Sequence, residues 1–384
     1  MDFKERLLTT MNHQEPDRVP VMGLMVNPSL VDKILNRETL NFVKLLKKPI
    51  IKHIIKFLVN REGFMNKQLA KNFGNCLQAA IKLGFDANWI MYQSMKMGKD
   101  YWYDINGRIW DITRYADGVL TSNYINGRLK TKRDWRDWIE ENENWFQRNL
   151  KYLENFHKTL FERYKDKIFP ITHIAPGPWE NCWQPIGFER FTKYIYQDKA
   201  FLKEVVDFQT DYYLKMVEAV LRAGAELIAG CDDLGHKTGL LLRPKLIDEL
   251  YGDCYRQVSE MVHSQNKKIL WHSCGRIYKL LDYFIKWGFD GAITLEPTAG
   301  MDLGKVREQV GHDLVLVGNL DVSYLLVRGS KKEIEDEVKN CIRKAARGGG
   351  YILAPCHSHG HIDPTRLKWM IEAAHEFGQY PINV

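Results

Sequence analysis

Apolar residues gather in eight short runs along the chain, each of strand length and most rich in Val, Ile and Leu. They fall at 18–23 (RVPVMG), 86–92 (DANWIMY), 168–175 (IFPITHIA) and 227–233 (LIAGCDD), then at 267–274 (KKILWHSC), 291–297 (GAITLEP), 314–321 (LVLVGNLD) and 350–357 (GYILAPCH). Between most of them, apolar positions recur at helical spacing; 198–224 and 330–349 do so and close on glycine. Strands buried on both sides and each followed by a helix call for a parallel sheet, because parallel neighbours need long crossover connections. Eight such units predict an α/β fold, the (β/α)8 TIM barrel, as a single domain over 1–384. A doubly wound open sheet is the rival, but no Gly-x-Gly-x-x-Gly follows the first run.

Two stretches break the repeat. Residues 30–83 read as lysine-rich helices, an N-terminal helical extension that covers one barrel end. Residues 99–131 alternate apolar and polar positions around Asn106-Gly107, Asp117-Gly118 and Asn126-Gly127. Such dipeptides favour tight turns, so this stretch predicts a small β-hairpin insertion.

Composition narrows the function. The 384 residues carry 55 basic and 48 acidic side chains, a net +7 spread along the chain, which argues against nucleic acid as a partner. No run approaches the ~20 apolar residues that span a bilayer, and the N-terminus lacks a signal core, so no membrane partner is expected. Seven scattered cysteines do not suggest a disulfide framework and point to a cytoplasmic setting. The oligomeric state stays open, a homodimer included.

In such a barrel, chemistry sits where strands end. The predicted strand ends carry Asp232 and Asp233, His272 and Cys274, Glu296, Asn319 and Asp321, and Cys356 with His357. Residues two apart on a strand share a face, so His272 and Cys274 point the same way. With Glu296 from the next strand and Cys356 from the last, they form a set of two thiolates, an imidazole and a carboxylate. That set suits tetrahedral Zn2+. His357, His359 and His361 are rival ligands or a solvated loop; the loop is the preferred reading. For Asp232 and Asp233 the choice is between accepting a thiol proton or orienting a cofactor, and, on the other side, one aspartate capping the following helix while the other binds a backbone amide or arginine. Asn319 and Asp321 are candidate cofactor-binding polars, and Trp179 and Glu180 candidates to line the mouth. Asp86 reads as a cap or rim hydrogen bond. Cys76, Cys182, Cys231, Cys254 and Cys341 read as small buried hydrophobes.

Several motifs resemble those of the uroporphyrinogen decarboxylase superfamily over nearly the whole chain. They are PDRVPVM at 16–22, GPWENCWQPIGFERF at 177–191, AGCDDLGHKTGLLLRP at 229–244, the long stretch 270–303 from LWHSCGR to TAGMDL, VLVGNLDVSYLL at 315–326 and GGGYILAPCHS at 348–358. The resemblance implies the same barrel. The decarboxylase branch is expected to carry an arginine-rich loop of the RQAGRY kind, where this chain has NPSLVDKILNRE. The other branch holds methyltransferases of methylotrophic metabolism that pass a methyl group between a corrinoid protein and a thiol such as coenzyme M. Their His-x-Cys…Cys zinc motif matches His272, Cys274 and Cys356, and the similar site of cobalamin-independent methionine synthase adds a glutamate where Glu296 stands. The resemblance therefore implies a zinc-dependent methyltransferase, with Glu296 or a water as fourth ligand. Its co-substrates would be a corrinoid (methylcobalamin) and a small-molecule thiol or methyl donor, in either direction of transfer. The chain lacks the Asp-x-His-x-x-Gly corrinoid signature, since in DLGHKTG His236 follows Asp233 by three residues; the corrinoid is expected free or on a partner protein. The alternative is a lyase acting on a carboxylate without metal.

Overall fold

All eight apolar runs form strands. The computed structural model describes residues 1–24, 27–37, 48–99, 101–114, 120–358 and 360–384. The strands are β1 Met22–Gly23, β2 Ala87–Met91, β3 Phe169–Ile174, β4 Leu227–Cys231, β5 Lys268–His272, β6 Gly291–Thr294, β7 Val315–Leu320 and β8 Tyr351–Pro355. They lie side by side in chain order, every neighbouring pair parallel. The two edges meet through a parallel bridge between Val21 and Leu353, whose N–H donates to the Pro20 carbonyl. The sheet is therefore a closed (β/α)8 barrel.

Side-chain parity divides the core. Met22, Ala87, Trp89, Phe169, Ile171, Leu227, Ala229, Leu270, Ile293, Val315, Val317, Ile352 and Ala354 fill the barrel interior. Their neighbours of opposite parity, such as Ile228, Trp271, Leu316 and Leu353, pack outward against the helices. The N-terminal end is plugged by the helix Phe3–Met11, whose Leu7 and Met11 join the interior cluster. Beside it Asp86 accepts hydrogen bonds from Arg6, Arg18 and the Val21 amide, which supports the rim role read from the sequence.

The two insertions need correction in detail. The N-terminal end is covered by the helix Phe3–Met11, which lies outside the stretch 30–83. Within that stretch, the helix Glu62–Leu83 belongs to the outer ring, packed on β2 and on the helix Glu143–Tyr164. The helix Pro49–Val59 instead buries Ile55 and Val59 against Met97 and Trp102 of the second insertion. Residues 38–47 lie outside the described residues.

The second insertion is a four-stranded antiparallel sheet, Met95–Met97, Trp102–Asp104, Arg108–Arg114 and Leu120–Gly127, that begins before residue 99. Asn106-Gly107 makes a turn, with Gly107 at φ +82°. Asp117-Gly118 lies outside the described residues. Asn126-Gly127 is no turn: Gly127 pairs with Arg108 inside the sheet. A Cβ there would stand 1.9 Å from the Pro185 carbonyl oxygen, so the glycine serves a close backbone approach. Among the described residues no helix is long and apolar enough to cross a membrane.

Candidate functional site

The interior parity continues beyond the apolar layers and turns polar at the C-terminal end. Above Ile171 comes His173, above Ala229 Cys231, above Leu270 His272 and then Cys274, and above Ala354 Cys356. Register between strands decides which of these meet. β4 and β5 place Cys231 opposite His272. One step higher, Asp233 Oδ1 accepts the Cys274 amide at 3.0 Å and lies 3.5 Å from His272 Nε2. The donor atoms of Cys231, Asp233 and His272 all fall within 4.8 Å of one another. Cys274 Sγ is 3.4 Å from His272 Nε2 and 3.6 Å from His357 Nε2.

Ionisation follows from these neighbours. Burial, with Asp233, Glu296 and Glu180 nearby, pushes the Cys274 thiol above its usual range. Burial likewise pushes the Cys356 thiol up to about 12, with Asp321 and Glu296 adding to it. Burial opposes ionisation of Asp233, but His272 and the Cys274 amide outweigh it and hold the carboxyl below its usual range. His173 stacks on Trp89 with ring centroids 4.0 Å apart, and its Nδ1 lies 3.1 Å from the Ala229 carbonyl. Burial and then His272 lower its pKa to about 3, so it stays neutral.

The remaining expected residues take other places. Glu296 accepts the Gly275 amide at 3.2 Å and the Thr298 hydroxyl at 2.5 Å, which sets it beside the Cys274 loop. Asp232, of outward parity, is fully buried and accepts the Trp179 and Glu180 amides and the Tyr255 hydroxyl. Those amides open the helix Pro178–Trp183 and need acceptors, so Asp232 caps a helix that precedes it in the chain and not the following one, Pro244–His263. Burial pushes its pKa up to about 7. Asn319 donates to the Leu295 and Met301 carbonyls and accepts from Cys341, between β7 and the helix Lys331–Ala345. Asp321 accepts the Ser323, Tyr324 and Leu325 amides and organises the turn after β7. Trp179 is fully buried and donates to the Asp233 carbonyl. Glu180 sits behind Asp233, accepting its amide at 3.3 Å, and burial, Asp233 and Asp232 together raise its pKa well above normal.

Two residues of the cluster were not singled out from the sequence. Cys231 read as a small hydrophobe and His173 was passed over, although each shares the inward parity of a residue below it. His357, read as a loop residue, reaches Cys274; His359 lies outside the described residues.

Cys231, Asp233 and His272 offer donor atoms close enough to hold a metal ion, with Cys274 beside His272, while Cys356 and Glu296 stand outside that group. Zn–S bonds of about 2.3 Å and Zn–N bonds of about 2.0 Å at a tetrahedral angle set a sulfur–nitrogen edge of roughly 3.5 Å. The His272–Cys274 and Cys274–His357 separations, 3.4 and 3.6 Å, match that edge. Two buried polar atoms at the mouth, His272 Nδ1 and Trp89 Nε1, lack a partner, as expected where a ligand completes the site.

The uroporphyrinogen decarboxylase (URO-D) family model matches residues 124–377. Among curated relatives, a uroporphyrinogen decarboxylase of Actinobacillus pleuropneumoniae serotype 5b is 24% identical over 241 residues, 60% of this chain and 65% of that protein. The methylcobamide:CoM methyltransferase MtaA of Methanosarcina barkeri is 24% identical over 209 residues, 54% of this chain and 58% of that one. The matched region thus spans less than two-thirds of either relative. A solved methyltransferase from Methanosarcina mazei shares the fold, with a TM-score of 0.67 at 18% identity over 98% of this chain and 99% of that one.

Proposed function

The chain belongs to the uroporphyrinogen decarboxylase family, and from that premise we propose a zinc-dependent methyltransferase that moves a methyl group between a corrinoid and a small-molecule thiol. The observation that carries this is the pairing of His272 Nε2 and Cys274 Sγ at 3.4 Å on the inner face of β5, with Cys231 and Asp233 opposite. His272 and Cys274 would hold the ion, with Cys356 as the third ligand that the resemblance implies and Glu296 or a water at the exchangeable position; Cys356 and Glu296 stand outside the group Cys231, Asp233 and His272 whose donor atoms already lie together. Bound zinc supplies Lewis acidity, which turns a thiol into its nucleophilic thiolate at neutral pH.

The protein's own groups then have separate tasks. Asp233, ionised and held by the Cys274 amide, is the acceptor for the proton that an incoming thiol gives up. Glu180, a buried carboxyl whose pKa is raised by burial and by Asp233 and Asp232, stands behind it. Neutral His173 and Trp89 form the apolar floor on which His272 rests edge-on. The corrinoid arrives on a separate protein. His236 supports this, its side chain exposed in a half-buried two-stranded ribbon, Gly235–His236 with Gly239–Leu240, outside any corrinoid motif.

A metal-free lyase acting on a carboxylate is the second reading, favoured by the decarboxylase relatives and the buried carboxyls of Asp232 and Glu180. One experiment separates the two. Purified protein should hold about one zinc per chain, and should demethylate methylcobalamin with coenzyme M or homocysteine, followed by the corrinoid absorption change. Zinc-free protein that releases carbon dioxide from a polycarboxylate, with no corrinoid change under any thiol, would overturn the methyltransferase.

A further inference from the structure

The helix Pro49–Val59, sequence PIIKHIIKFLV, is apolar on two faces. One face is accounted for: Ile55 and Val59 are buried against Met97 and Trp102. The other is not. Ile50 is 79% exposed, Ile54 55% and Phe57 60%, at helical positions i, i+4 and i+7, and Phe64 follows at 39%. Four of the ten large exposed hydrophobic side chains among the described residues therefore lie within fifteen positions. Soluble surfaces scatter such residues singly; a contiguous stripe marks a contact surface.

The charges on the helix itself have one sign. Lys48, His53, Lys56 and Arg61 lie on it or at its ends, no Asp or Glu occurs from residue 39 to residue 61, and Glu62, which follows, is paired with Arg148. Arg61 lies over the Phe57 ring at 4.4 Å, its guanidinium at the edge of the apolar face. A second copy packed two-fold on this face would set these cations against their own images. A long basic stem beside isoleucine and phenylalanine is instead the pattern that seats a helix in the headgroup layer of an anionic bilayer, apolar side inward and cations at the phosphates.

We propose that Pro49–Val59 is a peripheral docking helix for an anionic lipid surface. It does not span the bilayer, and the proposal holds whichever reaction the mouth performs. Asn60 ties the helix to Met97 by two hydrogen bonds, and that strand follows the C-terminal end of β2. The docking face thus belongs to the same end of the barrel as His272 and Cys274.

The test is co-sedimentation of the full-length protein with vesicles of phosphatidylcholine containing about 30% phosphatidylglycerol. Binding is expected to such vesicles, to fall at least tenfold on pure phosphatidylcholine, and to be released at about 0.5 M salt. Ile54→Ser with Phe57→Ser should abolish it without lowering Tm, since neither side chain is buried. Lys48→Glu with Lys56→Glu should weaken it roughly 25-fold or more, at about fivefold per basic residue near the surface. Should the serine variant fail to fold, the charge variant carries the test alone. No binding to anionic vesicles, or binding that both variants retain, overturns the proposal. So does a dimeric wild type that the serine variant converts to monomer, because the face would then join two copies.

Discussion

Asp86 allows the frame of the barrel to be perturbed at the end opposite its chemistry. Its carboxylate, 3% exposed, accepts Arg6 at 2.6 Å, Arg18 at 2.8 and 2.9 Å and the Val21 amide at 2.8 Å. Asp86→Ala strands two guanidinium groups whose side chains are 9% and 13% exposed. Removing one partner of a buried ion pair costs about 3–5 kcal/mol. Arg6 keeps Asp17, at 2.7 and 2.8 Å, so the lower figure applies and the loss falls mainly on Arg18. With an unfolding entropy of about 2.1 cal/mol/K per residue, the chain gains roughly 0.8 kcal/mol/K, and 3 kcal/mol lowers Tm by about 4 °C. Asp86→Asn keeps an acceptor for the Val21 amide and should cost about half as much. Circular-dichroism melts of the three proteins, with zinc content and activity measured well below the transition, make the comparison. A Tm change under about 1 °C for Asp86→Ala, or zinc loss in the still-folded variant, would refute the reasoning.

Other substitutions probe single points. Gly127→Ala should lower Tm by several degrees or block folding, because its Cβ would meet the Pro185 carbonyl oxygen at 1.9 Å; an unchanged melt would show that the close approach yields easily. His157 is fully buried with its pKa lowered to about 4 by burial, against about 6.5 when unfolded, so its neutral form favours the native state above pH 6.5. That contribution, about 3 kcal/mol at most, is lost as pH falls from 6.5 to 4. His157→Leu should flatten the decline of Tm over that window, and equal slopes in both proteins would contradict the assignment. Cys274→Ser and Cys356→Ser should each lose bound zinc while Cys254→Ser, in the helix Pro244–His263, keeps it; metal analysis of the three decides whether the ligands are at the mouth.

The barrel was legible because each strand's apolar run is local: eight runs of the right length lead to eight parallel strands, and 227–233 or 350–357 needed no partner to be recognised. Contacts between strands are a different kind of information. Parity alone says that His272 and Cys274 share a face, but that Cys231 stands opposite His272 depends on the β4–β5 register, which one sequence does not display. Cys231 is also small and buried, and looks like core until its neighbour is known. Asn126-Gly127 misled for a related reason: glycine is chosen there for a chain segment nearly sixty residues away, not for its own turn. Asp232 and Asp233 look equivalent as a pair, yet opposite parity sends one to a helix end and the other to the mouth.

Sealing of the ring by Val21 against Leu353 also sets the order of events during synthesis. The two partners are 332 positions apart (353 − 21), so the first strand must wait for the last one to emerge. Until then the growing sheet presents two unpaired edges, and the plug residues Leu7 and Met11 have no finished bore to enter. The nascent protein should therefore depend on a holding chaperone late in translation, and truncations ending before β8 should aggregate instead of folding partway.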